Sequence, residues 1–179
     1  KMVIDATTLS GDDIQRLRAR IERDELASGN GTLRTEDISQ AYLDRIVGDV
    51  KLARPMRIAI DCGNGVAGAF APELYRRLGC NVVELFCDVD GNFPNHHPDP
   101  SQPKNLEDLR RRLAQGDCEL GLAFDGDGDR LGVVTPAGNI IYADRQLMLF
   151  AADVLTRTPG ATIIYDVKST RNLKPWIVR

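Results

Sequence analysis

The sequence contains few of the side chains that bind soft metals or form covalent cross-links. Its 179 residues include two histidines and four cysteines, and the cysteines show no CxxC or other metal-ligand spacing. This pattern indicates neither a zinc site nor a disulfide framework. Each cysteine lies in or beside an apolar stretch, so we predict buried free thiols and a reducing, cytoplasmic environment.

Long apolar runs and strong positive charge are also absent from the sequence. No apolar run approaches the ~18 residues that a membrane span requires. The net charge is −3, and basic stretches such as residues 110–112 are short, so we expect neither a membrane nor nucleic acid as a partner. The composition, 42% hydrophobic and 27% charged, is typical of a soluble globular chain with one full core and additional elements.

The most informative stretch is residues 124–130, FDGDGDR, here called the aspartate loop. Side chains at alternate positions of an extended chain point the same way, so Asp125, Asp127 and Asp129 can converge on one point. The intervening glycines allow backbone angles that other residues resist. Apolar stretches on both sides predict strands, which places the loop at the carboxyl end of a strand, where open α/β sheets bind ligands.

The aspartate loop has the chemistry of a metal and phosphate site. Three close carboxylates repel one another unless a cation lies among them, and oxygen ligands favour Mg²⁺, Ca²⁺ or Mn²⁺. Arg130 adds a planar guanidinium that suits phosphate. An acidic surface turn is the alternative, because Asp-Gly pairs are common in hairpins. An EF-hand is excluded, since Arg130 and Pro136 occupy the positions of its glycine and glutamate.

The order of predicted elements indicates an α/β fold. Two helices, residues 11 to about 28 and about 35–50, form a helical interdomain connector over residues 11–54. From residue 55 onward strands alternate with helices, which predicts a mixed, mostly parallel sheet with helices on both faces. A further strand is predicted at residues 162–166.

A second motif supports a different class of enzyme. Gly63, Gly65 and Gly68 follow a predicted strand and precede a helix, which matches the GxGxxG fingerprint of dinucleotide-binding proteins. Glu84 or Asp88 could supply the acid that binds a ribose. The alternative function is therefore a nicotinamide- or flavin-dependent oxidoreductase. The same glycines also suit a tight turn without a ligand, and a non-enzymatic metal-binding module is a third class.

Residues 90–100, DGNFPNHHPDP, contain both histidines and are here called the histidine–proline loop. His96 and His97 are adjacent, so on an extended chain they point apart and are poor joint metal ligands. We predict a loop stiffened by proline, with a role at the substrate edge or between domains as the alternative.

Several segments together resemble the α-D-phosphohexomutase family, most closely its bacterial members that act on mannose and glucose phosphates. The resemblance covers most of the chain, and the aspartate loop is its most specific part. The matching segments are residues 61–68 (DCGNGVAG), 90–100, 123–130 (AFDGDGDR), 140–142 (IIY) with 144–145 (DR), and 166–168 (DVK).

The resemblance implies a four-domain enzyme of which this chain is a part. Residues 1–10 would end the first, phosphoserine domain, and residues 55–157 would form the second, metal-binding α/β domain. Residues 158–179 would open the third, sugar-binding domain. A monomer in the cytoplasm is expected.

The resemblance also implies the reaction and the residues that perform it. The family moves phosphate between C1 and C6 of a hexose, here mannose or glucose 1- or 6-phosphate, through a phosphoserine and a bisphosphorylated sugar. Asp125, Asp127 and Asp129 would bind the required Mg²⁺, and Arg130 would contact phosphate. Lys168 would reach substrate and assist proton transfer. The phosphoserine loop has no counterpart here, so this chain alone is expected to be inactive.

Overall fold

The computed structural model describes residues 2–178, which divide into two compact units. The first unit ends at Asp37 and the second begins at Ile38. None of the helices in residues 2–178 is both long and apolar enough to cross a membrane.

The first unit contains two short strands and one helix. Strands β1 (Val3–Ile4) and β2 (Thr7–Thr8) pair antiparallel. Helix α1 (Gly11–Glu22) carries acidic residues in its first turn, where the helix dipole favours negative charge. The helix ends several residues before the predicted stop, because Asp24 adopts a left-handed φ of 54°.

The second unit contains a five-stranded sheet and the remaining helices. The strands are β3 (Arg57–Asp61), β4 (Asn81–Leu85), β5 (Leu120–Phe124), β6 (Leu131–Val134) and β7 (Ile140–Ile141). The helices are α2 (Ser39–Asp49), α3 (Ala71–Arg77), α4 (Glu107–Leu113), α5 (Ala143–Arg157) and α6 (Leu173–Ile177).

The sheet has the strand order β4-β3-β5-β6-β7. Strand β3 pairs parallel with β4 and β5, whereas β6 pairs antiparallel with β5 and β7. The predicted α/β class with a mixed sheet is therefore confirmed, although the sheet was expected to be mostly parallel and has two parallel and two antiparallel pairings. Parallel pairing is confined to β4, β3 and β5, the half of the sheet that leads into residues 63–68. Strand β6 runs antiparallel to β5 because the aspartate loop joins the two strands as a hairpin.

Two hydrophobic cores lie on opposite faces of this sheet. Successive side chains of β3 point alternately into one core and the other. Ala59 belongs to the core that contains Leu109 and Leu113 of α4. Ile58 and Ile60 belong to the core on the α3 side. Helices thus cover both faces of the sheet, as predicted.

Two further predicted elements differ from the structure. Helix α2 begins at Ser39, a turn later than expected, and it packs against α3 as part of the second unit. Residues 162–166 do not form a strand. A strand needs a neighbour for its hydrogen bonds and its apolar side chains, and here Ile164 is 88% exposed. The division at residues 10, 54 and 157 stays a prediction.

The close approach at Gly68 generates a prediction about stability. A Cβ at Gly68 would lie 2.0 Å from the main-chain oxygen of Cys87, so the backbone would have to move. We expect Gly68→Ala to lower the free energy of unfolding by about 1–3 kcal/mol, measured by urea denaturation. The control is Gly91→Ala, which meets no heavy atom within 4 Å and should stay within about 0.5 kcal/mol. Equal stability of both variants would contradict the tight packing of residues 63–68.

Candidate metal and phosphate site

The aspartate loop forms a closed turn between β5 and β6. The Asp125 N–H donates to the Arg130 carbonyl at 3.2 Å, and the Gly128 N–H donates to the Asp125 carbonyl at 3.0 Å. Gly128 adopts φ +75°, a conformation that side chains other than glycine disfavour. The glycine therefore lets a short chain reverse direction while the aspartates stay on one side.

The structure brings the three predicted carboxylates together. One oxygen from each of Asp125, Asp127 and Asp129 can be chosen so that all three lie within 4.8 Å of one another. Asp125 is buried, whereas the other two are exposed. A donor set made only of carboxylate oxygens fits a hard cation such as Mg²⁺, and the exposed pair leaves a path for it to enter.

Arg130 occupies both oxygens of the buried carboxylate. Its backbone N–H donates to Asp125 Oδ1 at 2.9 Å, and its Nε–H donates to Oδ2 at 2.7 Å. Burial raises the pKa of Asp125, but the hydrogen bonds and charge of Arg130 outweigh burial, so the pKa lies below its ordinary value. Asp125 is therefore ionised at neutral pH despite being only 1% exposed.

The histidine–proline loop contacts the same arginine. Arg130 Nη1 donates to Asp99 Oδ1 at 3.2 Å, and its side chain remains 58% exposed. No sequence pattern singled out Asp99. The two flanking prolines, which restrict its backbone, were the available signal.

Residues 63–68 form a turn, here called the glycine turn, that packs against the aspartate loop. The Val66 N–H donates to the Gly126 carbonyl at 3.1 Å. A Cβ at Gly65 would lie 2.9 Å from that carbonyl oxygen, and one at Gly63 would lie 2.9 Å from Pro98 Cβ. The glycines therefore make room for loops of the same chain.

A buried carboxylate links β3 to the histidine–proline loop. His96 Nε2 lies 3.1 Å from both oxygens of Asp61, and the Gly63 N–H donates to Asp61 Oδ1 at 2.9 Å. Burial raises the pKa of Asp61 above its ordinary value, and His96 and the Gly63 N–H offset part of this rise. No short-range pattern identified this pair; the available signal was an aspartate at the end of a buried strand, with a glycine two residues later.

The two histidines have separate environments, as predicted from their adjacency. The His96 ring contacts the edge of Phe86 with centroids 5.4 Å apart, and His97 contacts Phe93 at 6.3 Å. The two rings therefore contact different aromatic side chains.

Lys168, the remaining predicted site residue, is not brought to the aspartate loop. Its side chain is 85% exposed, and its Nζ lies 3.8 Å from Asp166 Oδ2. Within residues 2–178, no hydrogen bond or ion pair joins Lys168 to the three aspartates or Arg130.

A cavity of about 390 Å³ opens beside Arg130. This volume is within the range of small-molecule sites. Polar lining is provided by Ser101, Asp129, Tyr142 and Gln146. A phosphorylated small molecule could therefore contact the arginine.

The chain matches a known family over more than half of its length. The matching model is described as phosphoglucomutase/phosphomannomutase, alpha/beta/alpha domain II, and it covers residues 40–138. This range includes α2, the glycine turn, the histidine–proline loop and the aspartate loop.

Curated relatives and a solved structure match nearly the whole chain. A phosphoglucomutase of Neisseria gonorrhoeae is 64% identical over an alignment that covers 99% of this chain and 39% of that protein. A phosphomannomutase/phosphoglucomutase of Pseudomonas aeruginosa is 57% identical over 97% of this chain and 37% of that protein. A phosphoglucomutase/phosphomannomutase family protein of Burkholderia thailandensis superposes with TM-score 0.91 at 57% identity, covering 97% of this chain and 38% of its own. The chain thus spans about two fifths of the length of these relatives.

The Asp125–Arg130 pair generates a prediction about pH. Because the pKa of Asp125 is lowered in the folded protein, its ionised form stabilises the fold above the unfolded pKa of about 3.9. That contribution is lost as pH falls through the folded pKa. We expect Asp125→Asn to destabilise the metal-free protein from about pH 5 to about pH 7, and the difference from the wild type to shrink below about pH 4.

The measurement is urea unfolding at each pH with a chelator present. Asp129→Asn, at a carboxylate that is 68% exposed, is the control and should stay within about 0.5 kcal/mol throughout. A destabilisation by Asp125→Asn that grows as the pH falls would contradict the assignment of the pair.

Proposed function

The chain belongs to the phosphoglucomutase/phosphomannomutase family, and on that premise we propose that it supplies the metal-binding domain of a hexose-phosphate mutase. The observation that carries this proposal is the aspartate loop, in which three carboxylates converge within 4.8 Å beside a fixed arginine. The proposed boundaries are residues 1–10 for the end of a phosphoserine domain, 55–157 for the metal-binding domain, and 158–179 for the start of a sugar-binding domain.

The proposed reaction moves phosphate between C1 and C6 of glucose or mannose phosphate. A phosphoserine outside this chain would donate its phosphoryl group to the sugar, and the resulting bisphosphate would return the other phosphate to the serine. The relatives named phosphoglucomutase and phosphomannomutase support this substrate class. We propose a monomeric, cytoplasmic enzyme.

Asp125, Asp127 and Asp129 are the proposed Mg²⁺ ligands. Their oxygen-only chemistry and mutual distance fit such an ion. Bound there, Mg²⁺ would offset the negative charge of the transferring phosphoryl group. The protein's own contribution is to keep Asp125 ionised and oriented in a buried position.

Arg130 is the proposed phosphate contact. Its Nε–H is committed to Asp125 and one Nη1 N–H to Asp99, so the second Nη1 N–H and both Nη2 N–H groups remain for a phosphate. A guanidinium binds phosphate oxygens with paired hydrogen bonds. Placed next to the metal ligands, these donors would align the phosphate and neutralise part of its charge.

Lys168 is proposed to contact the substrate and to assist proton transfer. Its ammonium group is exposed and has one distant carboxylate partner, Asp166. A weak partner leaves the charge available for a sugar phosphate, since exposed ion pairs contribute little.

A hybrid enzyme tests the proposed function directly. This chain would replace the matching 179-residue segment of the Neisseria gonorrhoeae phosphoglucomutase, to which it is 64% identical. We expect Mg²⁺-dependent conversion of glucose 1-phosphate or mannose 1-phosphate by the hybrid in the presence of a bisphosphate activator. Asp127→Ala should lower kcat by about 100-fold or more, whereas the control Asp12→Ala, on α1, should leave it unchanged.

The isolated chain should show no turnover in the same assay, because it spans only part of the relatives' length. A folded hybrid without mutase activity, or full activity of Asp127→Ala in a chelator, would overturn the proposal.

The glycine turn does not favour the alternative oxidoreductase. Cβ atoms at Gly63, Gly65 and Gly68 would meet Pro98, Gly126 and Cys87, so the space that a pyrophosphate would need is filled by the chain itself. Titration with NAD⁺, NADP⁺ and FAD, followed by fluorescence or calorimetry, should show no saturation at micromolar concentrations. Saturable binding of any of these dinucleotides would support the oxidoreductase instead.

A further inference from the structure

Arg130 is fixed at two points by carboxylates from different parts of the chain. Its Nε–H donates to Asp125 Oδ2 at 2.7 Å, and its Nη1 donates to Asp99 Oδ1 at 3.2 Å. A guanidinium attached only through Nε can still rotate about the Nε–Cζ bond and exchange its Nη groups. The second attachment, at Nη1, opposes that rotation.

Asp99 is itself firmly placed. Its Oδ1 accepts hydrogen bonds from the Ser101 N–H at 3.1 Å and the Ser101 hydroxyl at 2.7 Å, and its carbonyl accepts one from Asn105 Nδ2 at 3.0 Å. The hydrogen bond from the Ser101 hydroxyl lowers the pKa of Asp99, and the positive charge of Arg130 lowers it further, whereas burial opposes the shift. Asp99 therefore faces the arginine as a carboxylate.

The loop that carries Asp99 is anchored in the core. His96 Nδ1 lies 3.0 Å from the His97 carbonyl oxygen, which can only accept, so Nδ1–H is the donor of this hydrogen bond. Nε2 lies 3.1 Å from both oxygens of the buried Asp61. The position of Asp99 is thereby tied to strand β3.

We propose that Asp99 is a positioning residue that fixes the rotation of the Arg130 guanidinium and so directs its free N–H groups toward a phosphate. This assigns a function to the histidine–proline loop, and it rests on the proposed role of Arg130 in phosphate binding. A guanidinium that is oriented in advance loses less rotational freedom when phosphate binds.

A purely local role for Asp99 can be separated from this one, because the same loop offers a matched control. Asp90 Oδ1 accepts the backbone N–H two residues later, from Asn92, as Asp99 does from Ser101. Of the two, only Asp99 bonds to Arg130. Both substitutions keep a side-chain oxygen as acceptor and remove the negative charge. Asp90→Asn removes it from the loop turn alone, whereas Asp99→Asn removes it from the turn and from the arginine contact.

The first experiment measures rotation about the Arg130 Nε–Cζ bond by ¹⁵N exchange spectroscopy of the side-chain nitrogens in the isolated, metal-free chain. We expect Asp99→Asn to accelerate exchange of the two Nη groups by about twofold to fivefold, the range that a partly exposed ion pair supports. Asp90→Asn should match the wild type. In Asp99→Ser the hydroxyl can still accept the turn hydrogen bond, but the side chain is too short to reach the arginine. This variant should therefore show the same faster Nη exchange as Asp99→Asn. Unchanged exchange in both Asp99 variants would overturn the proposal.

The second experiment is a double-mutant cycle in the hybrid enzyme. Asp99→Asn should lower kcat/KM of the hybrid by about twofold to fivefold. In the Arg130→Gln variant the same substitution should have no further effect, because the two residues act through one interaction. Equal effects in both backgrounds would show a structural role and contradict the positioning role. Faster Nη exchange in a hybrid that lacks mutase activity would refute the proposed function and leave the positioning role intact.

Discussion

The carboxylate of Asp125 is buried and charged, and the architecture around it follows from that constraint. A buried charge needs a partner and hydrogen bonds, and Arg130 provides both through its main chain and its side chain. A residue five positions along the chain can do this only if the chain turns back, which is what the β5–β6 hairpin achieves. The exposed Asp127 and Asp129 then lie beside a carboxylate whose position is already fixed, so a cation bound as proposed would have only two exposed ligands to organise.

The glycine turn and the histidine–proline loop support this hairpin from two sides. Gly65 lets the turn approach the Gly126 carbonyl, which accepts the Val66 N–H. On the other side Asp99 reaches Arg130, in a loop tied to Asp61 through His96. Three loops that follow three neighbouring strands thus meet at the carboxyl edge of the parallel half of the sheet. This arrangement explains why a fingerprint typical of dinucleotide binding can serve packing instead.

Local patterns predicted the parts of this site that depend on short spacing. The alternation of aspartate and glycine was sufficient to place Asp125, Asp127 and Asp129 together, because the i, i+2 geometry is local. The contacts of Asp61 with His96 and of Asp99 with Arg130 span 35 and 31 residues, and no periodicity encodes such pairing. The strand predicted at residues 162–166 failed for a related reason, since an apolar β-branched run does not specify a neighbouring strand. Sequence alone also could not show that β6 would run antiparallel to β5.

The central claim is that the three aspartates form one cation site beside Arg130. A crystal of the chain soaked in Mn²⁺ and measured at the manganese absorption edge tests this claim most directly, because anomalous scattering locates the ion without reference to activity. We expect one strong peak at about 2.0–2.3 Å from oxygens of Asp125, Asp127 and Asp129, with Asp99 still bonded to Arg130. A peak elsewhere, or none in the aspartate loop at saturating Mn²⁺, would show that the three aspartates are not the cation site.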